Sequence, residues 1–284
     1  MKIKRICIVG CSRSGTTLLQ DQLVNRFNLM GFPESGFFLE GLRTPYARIK
    51  ALYRLQILQS DKPHPPYGLR FRLACLLQFF RFWLRKRGMS TIGLFLSRRR
   101  TMQEWVKALD EISLSNGFDA WIEKTPRHFY QLDLMRVAAP NIKFVFIVRN
   151  GPDVVASIVD RARRFPDWFQ GQNIHYATKV WNDAVRVAYQ SNADDDVLVV
   201  DFEELLRRTD FVLAQLGERL GLCQRDATVL SNVIRPSEGW KAQVKLGPGS
   251  PLSKWDSLFS EEEKQEILGQ LDLNLYKKLR FIHG

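Results

Sequence analysis

The stretch Ile3-Lys-Arg-Ile-Cys-Ile-Val-Gly10-Cys-Ser-Arg13-Ser-Gly15-Thr-Thr17 decides how the rest of the chain is read. It opens in alternation and becomes a continuous apolar run up to Val9, the pattern of a strand buried on both faces. Gly10 ends the run, and apolar residues at helical spacing resume from Thr16 to Phe27. Strand, glycine loop and helix in that order present backbone N–H groups and a helix N-terminus to an anion. The spacing Gly10-x4-Gly15-Thr16-Thr17 is that of a phosphate-binding loop in its required setting, with N–H groups from Ser14 to Thr17 as the expected donors. Nucleotide-hydrolysing loops carry a lysine that reaches the terminal phosphates. Here Thr16 stands in its place, and the nearest cation is Arg13, inside the loop.

Downstream, Phe144-Val-Phe-Ile-Val148 reads as a second buried strand and Val197-Leu-Val-Val200 as a third, each near a helical pattern. This alternation predicts an α/β fold: a P-loop-type parallel β-sheet flanked by helices. The second strand ends in Arg149, where a magnesium-binding aspartate would be expected, so a metal–nucleotide complex is poorly supported. Arg149 offers a fork of donors suited to a phosphate, and Ser157 adds a hydroxyl at the start of the next helix. On that pair alone, a surface arginine and an ordinary helix serine remain an equally simple reading.

Taken together, the Arg13-to-Thr17 loop and the Arg149/Ser157 pair resemble the sulfotransferase superfamily. The resemblance implies that Arg13, Ser14, Gly15, Thr16 and Thr17 grip the 5'-phosphosulfate of 3'-phosphoadenylyl sulfate (PAPS), while Arg149 and Ser157 hold its 3'-phosphate. Among branches, the chain looks most like the tyrosylprotein and related bacterial and carbohydrate sulfotransferases. Glu34, in Phe-Pro-Glu-Ser-Gly, falls where the tyrosylprotein enzymes carry their catalytic glutamate; Lys124, in Trp-Ile-Glu-Lys-Thr-Pro, matches their donor-side lysine. Leu252-Ser253-Lys254-Trp255 matches a segment whose serine contacts the transferring group, with Lys254 counted among the donor contacts. Lys245 and Gly247 partly match a basic loop on the 3'-phosphate, with Val244 in place of the usual arginine. The family's common tyrosine before an acidic pair falls on Phe202.

The implied reaction is sulfuryl transfer from PAPS to a hydroxyl, with a glycan or glycolipid acceptor ahead of a peptide tyrosine. A P-loop kinase is the alternative from another enzyme class. A hydroxyl attacks sulfur poorly while it holds its proton, so a carboxylate base is needed, and Glu34 is the candidate. Arg13, Lys124 and Ser253 suit the charge that builds on the departing oxygen, and no metal is required. Competing readings are a solvated loop carboxylate for Glu34, a surface pair with Glu123 or Asp119 for Lys124, and a commonplace loop serine for Ser253. His64 and His128 are rival bases, because other branches of the superfamily use histidine.

The 284 residues suit one α/β domain over 1–284. Hydrophobic residues at 45% and charged residues at 25% exclude a disordered or fibrous chain. Cys7, Cys11, Cys75 and Cys223 show no zinc or redox spacing. The opening apolar run is too short for a signal peptide, which predicts a cytoplasmic protein. The net charge of +12 points to an anionic ligand, acidic acceptor, membrane surface or nucleic acid. It is concentrated between Lys62 and Gln103, where ten Lys or Arg occur and no Asp or Glu. That stretch lies in a basic, mostly helical insertion from Ala47 to Ala108, expected to act as a lid or acceptor region. The insertion is a possible peripheral membrane contact through residues such as Arg81, Arg85, Lys86 and Arg87, and no nucleic-acid partner is expected. A capping box, Ser260 with Glu263, predicts a C-terminal helix, followed by a weakly ordered end.

Overall fold

A computed structural model describes residues 3–43, 47, 97–224 and 254–282. Five parallel strands, β1 (Lys4–Gly10), β2 (Met30–Phe32), β3 (Ala120–Lys124), β4 (Ile142–Val148) and β5 (Val197–Asp201), form one sheet in the order β2-β3-β1-β4-β5. Helix α1 (Thr16–Arg26) follows β1, and α2 (Arg98–Ser115) precedes β3. Next come α3 (Leu132–Ala138), α4 (Gly151–Arg164), α5 (Ile174–Gln190), α6 (Phe202–Arg207) and α7 (Thr209–Leu220). The C-terminal helices are α8 (Trp255–Leu258), α9 (Glu261–Gln270) and α10 (Leu273–Lys277).

The period-2 alternation of β1 divides the core. Ile6 and Ile8 pack with Leu19 and Leu23 of α1 on one face, while Cys7 and Val9 pack with α2, α4 and α5 on the other. The helices after β1 and β4 therefore leave for opposite faces although these strands are neighbours. A crevice opens beyond the carboxyl ends of two such strands, the usual ligand site of an open α/β sheet.

Two expectations are corrected. Residues 98–108, assigned to the insertion, form the first half of α2, and Met102, Trp105 and Val106 are buried in the core. That part is a layer of the fold rather than a lid, anchored where Arg5 donates to Asp110 through Nε at 3.1 Å and Nη2 at 2.7 Å. The capping box at Ser260 and Glu263 starts α9, but the chain end is docked. Ile282 N–H donates to Val199 O at 2.9 Å, and the Ile282 side chain is buried. The remainder of the insertion lies outside the described residues apart from Ala47 and Ser97. Among the described residues, no helix is long and apolar enough to cross a membrane.

Candidate active site

The loop after β1 needs both of its glycines. A Cβ at Gly10 would lie 2.3 Å from the Ile147 carbonyl oxygen, and one at Gly15 2.3 Å from a ring carbon of Phe202; Gly15 also has φ of 87°. Arg13 is left-handed as well, with φ of 74°, a conformation that costs a non-glycine residue about 1–3 kcal/mol. That turn aims its guanidinium across the crevice, where Nε donates to Ser157 Oγ at 3.0 Å. One expected donor is differently employed. Ser14 N–H donates to Cys11 O at 3.2 Å and closes the loop, while its hydroxyl is buried with no hydrogen-bond partner. The N–H groups of Thr16 and Thr17 open α1, where helix geometry leaves them without intrahelical acceptors.

Across the crevice, the Arg149 guanidinium lies over the Phe202 ring at 4.6 Å from the centroid. Asp153 and Glu203 stand 3.6 and 4.0 Å away, and its buried Nε has no hydrogen-bond partner. Burial, then the hydrogen bond and charge of Asp201, push the Glu203 carboxyl up to about 7. Near neutral pH Glu203 is therefore only partly ionised beside Arg149. Phe202, which stands where the family carries a tyrosine, props Arg149 and closes against Gly15 instead of offering a hydroxyl.

Arg161 went unread in the sequence. It follows Ser157 by one turn on the same face of α4, and that i,i+4 spacing is the signal that would have found it. Its guanidinium lies over Phe169 at 4.0 Å and donates to Gln172 at 2.8 Å, while Nε is buried with no hydrogen-bond partner. Burial and then Arg13 lower the Arg161 pKa; burial and then Arg149 lower that of Arg13. These guanidiniums repel one another, a repulsion that a bound polyanion relieves. Lys254 pairs with Asp160, three residues after Ser157 on α4, and α8 follows it against that helix with Arg163 Nη1 donating to Leu258 O at 3.3 Å. Ser253, Lys245, Gly247 and His64 lie outside the described residues.

On the other side of β1, register pairs Ile8 with Lys124 at the end of β3. Lys124 is 2% exposed, and its Nζ meets Glu34 Oε1 at 2.5 Å, with the Glu34 side chain 42% exposed at the mouth of the crevice. The other candidate partners of Lys124 are engaged elsewhere. Asp119 pairs with Lys4 at 3.2 Å, and Glu123 points to the opposite face of the strand. Fully buried, Glu123 accepts from Thr125 Oγ1 at 2.6 Å, Ser35 Oγ at 2.8 Å and Ser35 N at 3.1 Å. It therefore positions the turn that carries Glu34. Gln20, buried on α1, fixes the approach to the same turn by donating to Phe32 O at 2.6 Å.

His128 belongs to this support. It is fully buried, its Nε2 accepts Phe38 N–H at 3.3 Å, and its Nδ1 lies 3.3 Å from Glu123 Oε2 without hydrogen-bond alignment. An acceptor at Nε2 places the proton of the neutral ring on Nδ1. Neither nitrogen is available to a substrate hydroxyl. Cys11 is no nucleophile either, because burial pushes its thiol up to about 12 against the opposing pull of Arg161 and Arg127.

Burial raises the Glu123 carboxyl, but the neighbouring His128 and the hydrogen bonds of Thr125 and Ser35 outweigh it, leaving the pKa below the ordinary 4.5. A depressed folded value contributes stability that is full above the unfolded value and is lost as pH falls through the folded one. Thermal unfolding from pH 6 to about pH 3 should show a smaller acid-induced drop in Tm for Glu123→Gln than for the unmodified chain. Equal drops would mean that Glu123 makes no such contribution.

Ser14 Oγ, Arg149 Nε and Arg161 Nε are buried polar atoms around one crevice, all without hydrogen-bond partners. Buried polar groups are ordinarily bonded, so the arrangement fits a ligand carrying several anionic oxygens. The model of the sulfotransferase family matches residues 5–226, from β1 through α7. The chain belongs to the sulfotransferase family. Two solved structures share the fold of this sulfotransferase. One is the sulfotransferase domain of the Synechococcus PCC 7002 olefin synthase, at 18% identity and TM-score 0.62, covering 99% of this chain and 98% of that one. The other is the sulfotransferase domain of the curacin biosynthetic pathway, at 16% identity and TM-score 0.58, covering 99% of this chain and 100% of that one. No curated protein matches the sequence.

Proposed function

We propose that this sulfotransferase takes its sulfuryl group from PAPS and places it on a hydroxyl of a glycan or glycolipid. The observation that carries the donor assignment is the Arg13–Ser157 hydrogen bond, which joins the loop to the Arg149/Ser157 pair across one crevice. Two adjacent cationic sites suit a nucleotide with an anionic group on each side of its ribose. Thr16 in place of the loop lysine and Arg149 in place of a metal-binding aspartate argue against a triphosphate. The glycan acceptor rests on the resemblance of the Glu34, Lys124 and Ser253 segments to the carbohydrate and tyrosylprotein branches.

Bound PAPS supplies a sulfuryl group on a nucleotide phosphate that leaves easily. Glu34 accepts the proton of the attacking hydroxyl as the new O–S bond forms and the old one breaks. Lys124 meets the electron pair arriving on the departing oxygen, together with Arg13 and the N–H groups that open α1. The ion pair between Lys124 and Glu34 holds both side chains at the mouth until each takes up its own partner. Arg149, Ser157 and Arg161 orient the nucleotide and do no bond chemistry.

Transfer of labelled sulfate from PAPS to a panel of glycans and glycolipids tests the reaction, and a folded, donor-binding preparation inert on all of them would count against it. In calorimetry, adenosine 3',5'-bisphosphate should bind more tightly than magnesium-ATP. Arg149→Gln should weaken the bisphosphate about tenfold or more while leaving adenosine 5'-phosphate nearly unchanged, since only the charge-assisted contact to the 3'-phosphate is removed. Equal losses for both nucleotides would remove Arg149 from the 3'-phosphate.

A further inference from the structure

We infer that the acceptor is an acidic amphiphile, held in a cavity at the base of the insertion by apolar walls and three arginines. The inference rests on the sulfotransferase reading and names the acceptor chemistry that reading leaves open. The cavity measures about 380 Å³ and is walled by Phe38, Leu42 and Met102 beneath Arg43, Arg98 and Arg127. Small-molecule sites combine apolar walls with a few convergent polar groups that fix orientation. Apolar and charged residues both line this cavity, polar atoms giving the larger share of its surface.

The position joins the cavity to the chemistry. Phe38 and Leu42 belong to the short segment that begins just after Glu34, whose first turn, the π-helical Phe37–Gly41, is anchored by Phe37 stacked on Trp105 at 4.7 Å. Arg127 follows Lys124 by three residues and is close enough to Cys11 in the phosphate loop to act on its thiol. Arg43 precedes the insertion and Arg98 opens α2, and Arg98 Nε donates to Leu42 O at 3.4 Å. The walls of the cavity are thus joined through the chain to both the Glu34 turn and Lys124.

The three arginines are exposed, and a solvated surface guanidinium needs no explanation by itself. What distinguishes them is that all three line one cavity and none pairs with a carboxylate among the described residues, whereas Arg136 is shared by Asp133, Asp194 and Asp196. Unneutralised guanidiniums facing one cavity attract a carboxylate, sulfate or phosphate, which they bind in bidentate fashion. An apolar wall below them removes neutral sugars from the best-fitting class. The remaining class is a hydroxylated compound with an acyl or alkyl portion and an acidic group, of which an acidic glycolipid is one form.

Calorimetry on the full chain, saturated with adenosine 3',5'-bisphosphate to fill the donor crevice, tests this with octyl phosphate, octanoate, octyl glucoside and inorganic phosphate. Octyl phosphate or octanoate should bind at least about tenfold more tightly than octyl glucoside or inorganic phosphate, and which of the two is tighter identifies the acidic group. The combined substitution Arg43→Gln, Arg98→Gln and Arg127→Gln should abolish that preference while bisphosphate binding is unchanged. Octyl glucoside binding as tightly as the acids, inorganic phosphate as tightly as octyl phosphate, or retention of the preference in the triple variant would each overturn the inference. If the intact chain binds no bisphosphate, the donor reading fails, and the same titrations without it still decide the cavity.

Discussion

Glu34→Gln should cut kcat by about 10²- to 10⁴-fold, the usual contribution of a positioned general base, while leaving donor affinity within about twofold. Glutamine keeps the shape of the side chain and its place at the crevice mouth, but it cannot take the acceptor proton. Glu34 is 42% exposed and hangs from a turn fixed by Glu123, and in the variant the buried Lys124 ammonium faces an amide oxygen in place of the carboxylate, so the fold is checked by thermal unfolding alongside the rates. Single-turnover rates of sulfate transfer against pH make the measurement, with donor binding followed separately. Turnover close to that of the unmodified enzyme would remove Glu34 as the base. Because neither nitrogen of His128 is available to a substrate, no other described residue named in the sequence reading would replace it.

Lys124→Met should lower kcat by about 10²- to 10³-fold, the scale seen when one donor to developing negative charge is removed. Methionine conserves most of the buried stem, so the 2%-exposed position stays filled and the end of β3 keeps its packing. Donor affinity should fall far less than kcat, since the ammonium acts mainly on charge that appears during transfer. Removing the lysine also releases Glu34 from its ion pair. If the two side chains work as a unit, the double variant Glu34→Gln/Lys124→Met will be little slower than the worse single variant. Equal falls in affinity and kcat/KM with no change in kcat would instead make Lys124 a uniform donor-binding residue.

Some of this molecule was legible because its information is local. The run into Gly10, the left-handed glycine at position 15 and the onset of α1 are neighbours in sequence, so the loop could be read at sight. Strands β4 and β5 were visible as unbroken apolar runs, and α9 from its own capping box. Strand β2 has three residues, too few for any pattern. Strand β3 contains Glu123 and Lys124 in succession, both buried, which hydropathy reads as surface.

The partners that make those charges tolerable come from far along the chain. Glu34 and Ser35 are about ninety residues from Lys124 and Glu123, with offsets of 90 and 88. Arg161 was passed over for a similar reason. An arginine on an amphipathic helix looks solvated until the Arg13 loop, brought beside it by the β1–β4 pairing, shows that it faces a crevice. The docked C-terminus and the burial of Met102 and Trp105 also depend on surfaces supplied by other elements.

By itself the sequence determined the sheet class, the glycine loop between β1 and α1 and the arginine in place of the loop lysine, because each strand and the loop is written in a short run of consecutive residues. Only the tertiary structure decided which cations share one crevice, that Glu34 pairs with Lys124, that His128 is sealed inside, and that three arginines line one cavity with Phe38, Leu42 and Met102. Those outcomes depend on strand order and register, which place distant residues side by side and set which charges are desolvated together.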